Sequence, residues 1–171
     1  MVKQSTLTSS DVAKLLQDPS EANRAEAATK VAKTFSASGL SEGERKIAED
    51  IFRTMLKDAA VRVRQALSES LADNPSVPHD VAASLAQDVD EVALPVIERS
   101  LVLTDDDLIS IIETKSVQAQ VAVAGRADVS SDVADALADT GNEDVVATLV
   151  GNENAALSES TLEKVLDTFS D

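Results

Sequence analysis

Leu103-Thr104-Asp105-Asp106-Asp107-Leu108-Ile109-Ser110-Ile111-Ile112 reads as the start of a helix. The Thr104 hydroxyl can accept an orphan backbone N–H. Asp107, three positions on, can close the reciprocal cap, and acids in a first turn complement the helix dipole. Leu103 can staple onto that turn, and Leu108 and Ile112, four apart, share one stripe. The pattern returns about every 26 to 30 residues: Leu7-Thr8…Asp11 and Leu40-Ser41…Glu44 upstream, with weaker copies at Val129-Ser130 and Leu157-Ser158. Val77-Pro78 holds the same phase. Helix starts at a fixed period predict a stacked helical repeat.

Two alternating helix types follow. The first carries the pairs Val81/Leu85, Leu108/Ile112, Val133/Leu137 and Leu162/Leu166, at steps of 27, 25 and 29 residues. The second carries Val63-Ala66-Leu67, Val92-Pro95-Val96, Ala119-Ala122-Val123 and Val145-Thr148-Leu149, at steps of 29, 27 and 26. A small residue in the middle position lets helix axes approach closely. The expected fold is all-α, a superhelix of about five helix pairs at 9–37, 41–73, 78–100, 104–127 and 130–153, with a terminal helix at 158–169. One repeat domain would span 1–171, with longer helices over 9–73 and shorter ones over 78–169. Asn23–Ala37 and Ser41–Ala59 read as long amphipathic stretches. Helices of about ten residues are marginal alone, so stacking must hold them. Pro95 should sit near a first turn or bend its helix. Gly125 and Gly151 read as helix stops in a left-handed turn.

The chain has 171 residues, three Phe, no Trp, no Tyr and no Cys, so the core must be Ala, Val, Leu and Ile. Missing cysteine excludes disulfides and thiolate metal sites. Few aromatics leave little to stack a base or a flat cofactor. Met1 to Ser10 is polar, which reads as neither a signal peptide nor a membrane span, so cytoplasmic residence is expected. Residues 1–64 carry a net charge of +2 and residues 65–171 a net of −18. The acidic part should repel phosphate backbones, although solubility alone accounts for acids on helix faces.

The segment Asp58-Ala59-Ala60-Val61-Arg62-Val63-Arg64-Gln65-Ala66-Leu67 has the Asp…Val-Arg…Ala-Leu signature of HEAT-like repeats. In such repeats the Asp and Arg link neighbouring units along the inner helix. Asp58 and Arg62 match those roles by position, with Arg64 as the competing candidate. Beyond them, Asp90 precedes Val92-Ala93 and no Arg follows at the matching place. Leu15-Leu16-Gln17-Asp18-Pro19 through Asn23-Arg24-Ala25-Glu26-Ala27, with Ala48-Glu49-Asp50-Ile51-Phe52 and Pro78-His79-Asp80-Val81-Ala82 leading into Val102-Leu103-Thr104-Asp105, resembles an uncharacterised bacterial family of HEAT-like helical proteins, a domain of unknown function. The resemblance implies an α-solenoid and brings no activity, cofactor or catalytic residue. Members often continue toward the C-terminus, so the chain reads as a truncated form or a short member.

Candidate chemistry is sparse. His79, the single histidine, opens a helix as Pro-His-Asp, with no second His, Cys or nucleophile elbow beside it. Asp105-Asp106-Asp107 lacks the alternating ligands and turn glycine of a calcium loop, and capping explains it. Arg99 and Arg126 fall on one equivalent position, with Ser70 and Asn152 as the other copies. If second-type helices line a concave face, Arg62, Arg64, Arg99 and Arg126 form a cationic row for a carboxylate or phosphorylated segment of a partner, unless local acids take them up. Leu162, Val165, Leu166 and Phe169 form a terminal stripe expected to dock a missing C-terminal region or a second copy as a homodimer.

The expected function is a non-enzymatic protein-interaction scaffold or adaptor, without cofactor or metal, whose partner is a protein rather than nucleic acid or membrane. A HEAT-like nucleic-acid-binding or DNA-repair protein is the alternative. The net charge of −16 and the missing Trp and Tyr weigh against it.

Overall fold

In the computed structural model, residues 17–37 and 39–170 are described. The Leu7-Thr8…Asp11 cap and the start of the first expected pair lie outside them. Among the described residues there are ten helices and no strand: α1 Glu21–Ser36, α2 Glu42–Met55, α3 Val61–Leu71, α4 His79–Ala86, α5 Asp90–Arg99, α6 Asp105–Thr114, α7 Val117–Ala124, α8 Ser131–Asp139, α9 Glu143–Gly151 and α10 Glu159–Thr168. None is long and apolar enough to cross a membrane.

The caps are where the repeat places them. Ser41 with Glu44 and Thr104 with Asp107 form full capping boxes. Ser130 and Ser158 cap α8 and α10 by the hydroxyl alone, and Pro78 begins α4 with no side-chain cap. Second-type helices have caps as well: Ser20, Ser116 and Asn142 start α1, α7 and α9. Each satisfies a backbone donor that the helix cannot.

Two compact units divide the chain: Met1–Val96 with Ser100–Val102, and Ile97–Arg99 with Leu103–Asp171. In the first, α1 packs on α2 and α3, and α2 packs on α3. Its interior holds Phe35 edge-on to Phe52, with ring centroids 5.1 Å apart, and the Arg45 guanidinium lies 4.9 Å over the Phe35 ring. Val63, Leu67, Val81, Leu85, Val92 and Val96 are buried. In the second unit each helix from α6 onward meets its sequence neighbour, and α6 also packs on α8, α7 on α9 and α8 on α10. Leu108, Ile112, Val123, Val133, Leu137, Val145 and Leu149 fill this interior.

Several sequence expectations need correction. The helix expected over Ser41–Ala59 stops at Met55. Of the two expectations for Pro95, the first-turn position is the one that fails: it is the sixth residue of α5, so the amide that would donate to Glu91 is missing from the helix middle. Gly125 ends α7 at φ −89° and Gly151 is the last residue of α9. Left-handed φ occurs instead at Gly39 (106°) and Gly141 (61°). Those are the turns that need a residue without Cβ.

The register of α10 also differs. Buried residues fall three and seven positions after the cap in α4 (Val81, Leu85), α8 (Val133, Leu137) and α10 (Thr161, Val165). Leu162/Leu166 is therefore one residue out of phase with the pairs in α4 and α8, and shares its count from the cap with Leu108/Ile112 of α6. One residue is 100° of rotation on a helix; α6 is covered at Leu108, Ile111 and Ile112, whereas α10 is covered only at Thr161 and Val165.

Candidate functional site

Arg24 and Arg64 are each the fourth residue of a second-type helix. Arg24 on α1 meets the Asp58 carboxylate in the α2–α3 turn through Nε at 2.8 Å and Nη2 at 3.0 Å. Arg64 on α3 meets Asp88 in the α4–α5 turn through Nε at 2.6 Å and Nη2 at 2.9 Å, and its Nη1 donates to the Asp58 carbonyl at 2.7 Å. The two forks thus form a continuous link from α1 to the start of α5. The Arg24 guanidinium, first among several causes, holds the Asp58 carboxyl below the ordinary range. Arg53 does the same for Asp80, at 2.8 Å.

Arg64 rather than Arg62 therefore carries the inter-helix link. The reason is rotational: residues two apart on a helix point about 200° apart, so only one can face the aspartates. Sequence reading missed Arg24 as its counterpart. The signal was the shared fourth position, but the Asp58 partner is 34 residues away.

The second unit uses backbone acceptors. Arg126 is 8% exposed and its Nη1 donates to the Ile97 carbonyl. Burial lowers its affinity for the proton, opposed by Asp128 and Asp105. Asn152, at the equivalent position one step on, donates Nδ2 to the Ala124 and Arg126 carbonyls, both at 2.8 Å. Each side chain closes helix-end carbonyls of the preceding second-type helix. Lys164 on α10 spans Asp135 at 2.7 Å and Asp139 at 2.8 Å on α8.

Of the four arginines read as a partner-binding row, Arg64 and Arg126 are thus committed to contacts inside their units. Arg62 and Arg99 are exposed. Arg62 lines a groove of about 520 Å³ between α1 and α3, over Ala22, Ala25 and Ala66, with Glu26, Gln65 and Glu69 beside it. His79 opens α4 at the surface, and Asp105, Asp106 and Asp107 occupy the first turn of α6, with Asp107 in the capping box. Among the described residues there is no group of three or more His, Asp or Glu able to hold a metal ion.

On α10, Leu162, Leu166 and Phe169 are 46%, 68% and 50% exposed, whereas Val165 is buried. Thr161 occupies a fully buried position, where its hydroxyl is satisfied by Ser158 at 2.8 Å and Asp135 at 3.3 Å. A second apolar surface runs along α2. Val31, Leu40, Ile47 and Ile51 line one depression of about 180 Å³, and Ile47, Ile51 and Met55 line a second of about 330 Å³.

Residues 92–171 match a family described as an uncharacterised protein conserved in bacteria (DUF2336). No curated protein and no solved structure matches the chain.

Proposed function

We propose that the chain is a non-enzymatic interaction scaffold: a HEAT-like α-solenoid that binds a segment of a partner protein in the bacterial cytoplasm. Next-but-one helix packing in the second unit and side-chain links at repeat spacing in both units support the stacked-pair reading. The observation that carries the function is the α1–α3 groove. Its alanine floor admits a peptide backbone closely, and Arg62 offers a planar donor fork to a carboxylate or phosphate. Glu26 and Glu69 beside it favour a segment that also carries a Lys or Arg. Arg99, the last residue of α5, is an exposed cation of the second unit.

Affinity capture from the native host, followed by mass spectrometry, tests this with the parent chain and with Arg62→Glu and Arg99→Glu. The proposal expects a protein retained by the parent and lost with the reversals. An identical set of proteins retained by all three chains would overturn it.

A further inference from the structure

We infer that the apolar surface of α2 receives α10 of a second copy, so that the chain assembles head to tail. This is independent of the Arg62 groove. On α2 the exposed strip is Ile47, 62% exposed, with Ile51 one turn on and Leu40 and Met55 at its ends. On α10 it is Leu162, Leu166 and Phe169. Both strips have i, i+4 spacing, so the side chains of one helix can sit between those of the other. Neither is an isolated exposed residue of the sort any surface carries.

Charge selects the pairing of unlike strips. Helical rotation puts Glu159, Glu163 and Asp167, all exposed, along one edge of the α10 strip. Lys46 and Arg53 run along one edge of the α2 strip, followed by Lys57 just past the helix end. Arg53 is itself forked by Asp80 and meets Asp50 at 3.3 Å, and Glu44 of the capping box lines the depression, so the positive charge of this edge rests on Lys46 and Lys57. Two α10 helices facing each other would oppose acid to acid. Both units are net acidic, but the first holds 15 acids against 11 Lys and Arg and the second 16 against 4, so meeting the first unit costs less repulsion than meeting another second unit. A contact between two different surfaces is heterologous, and it grows into a filament or closes into a ring.

Sedimentation velocity over a concentration series, with Ile47→Asp and Leu166→Asp, tests the assembly. The parent should exceed monomer mass as concentration rises, and less so in high salt. Either substitution alone should weaken association by roughly tenfold or more. The decisive sample is their mixture. The Leu166→Asp chain keeps the α2 surface and the Ile47→Asp chain keeps α10, so together they should form a one-to-one pair and nothing larger. Arg62→Glu should leave assembly unchanged, which separates this from the partner-binding groove. A parent that is monomeric throughout, a mixture that stays monomeric, or assembly lost in Leu166→Asp but intact in Ile47→Asp would each overturn the inference. Circular dichroism checks that both variants fold; Ile47→Ser and Leu166→Ser replace any that does not.

Discussion

The first unit ties neighbouring helices together mainly with ionised forks, whereas the second does so with donors aimed at backbone carbonyls. Arg24–Asp58 and Arg64–Asp88 are charge pairs near the surface. Arg126 and Asn152 instead close carbonyls at helix ends. The division is not absolute: Ser68, fully buried in the first unit, donates to the Val92 carbonyl at 2.5 Å. Lys164 pairs with aspartates in the second. The two kinds of tie stand at opposite ends of their helices: Arg24 and Arg64 in the first turn, where they reach aspartates in turns, and Arg126 and Asn152 just past the last turn, where they reach carbonyls. The difference predicts unequal responses to truncation, salt and acid.

The largest effect should come from Arg126→Ala. It removes a buried stem and uncovers the Ile97 carbonyl, at about 3 kcal/mol by urea unfolding. Arg126→Met keeps the stem and discards a desolvated charge, so its cost should be clearly smaller, about 1 kcal/mol. Equal losses would mean that the hydrogen bond rather than packing dominates. Asn152→Ala should follow at about 1–2 kcal/mol, because two carbonyls lose a neutral donor. Its effect should be the same in 1 M salt.

Arg64→Leu should cost about 1 kcal/mol at low ionic strength and less in 1 M salt, where the screening length falls to about 3 Å. Salt-insensitive destabilisation would place the fork with the buried ties instead. The mildest test is pH. Asp58 and Asp80 are held below their ordinary values, so their stabilisation is complete above about pH 4 and lost as pH falls through the folded values. Arg24→Gln removes the leading cause at Asp58. The decline of the urea midpoint between about pH 4 and pH 2 should therefore become shallower than in the parent.

Helix starts were legible because a cap and its partner lie within one turn: Ser41 with Glu44, Thr104 with Asp107. The stripes Val133/Leu137 and Val145…Leu149 were legible because burial follows the helical period. Arg62 and Arg64 could not be separated, since both stand near the right spacing and only the position of Asp88 decides between them. Leu162/Leu166 misled because it has the same count from its cap as the buried Leu108/Ile112, while in α10 a threonine holds the buried position three after the cap.

Sequence alone determined where helices begin and which stripes are apolar, because each depends on neighbours within two turns. Tertiary structure alone decided which arginine is locked, that Arg126 is buried and Arg62 is not, and which edge of α10 stays uncovered. Those outcomes depend on atoms that the fold brings together from 24 to 34 residues away, and no local spacing encodes that approach.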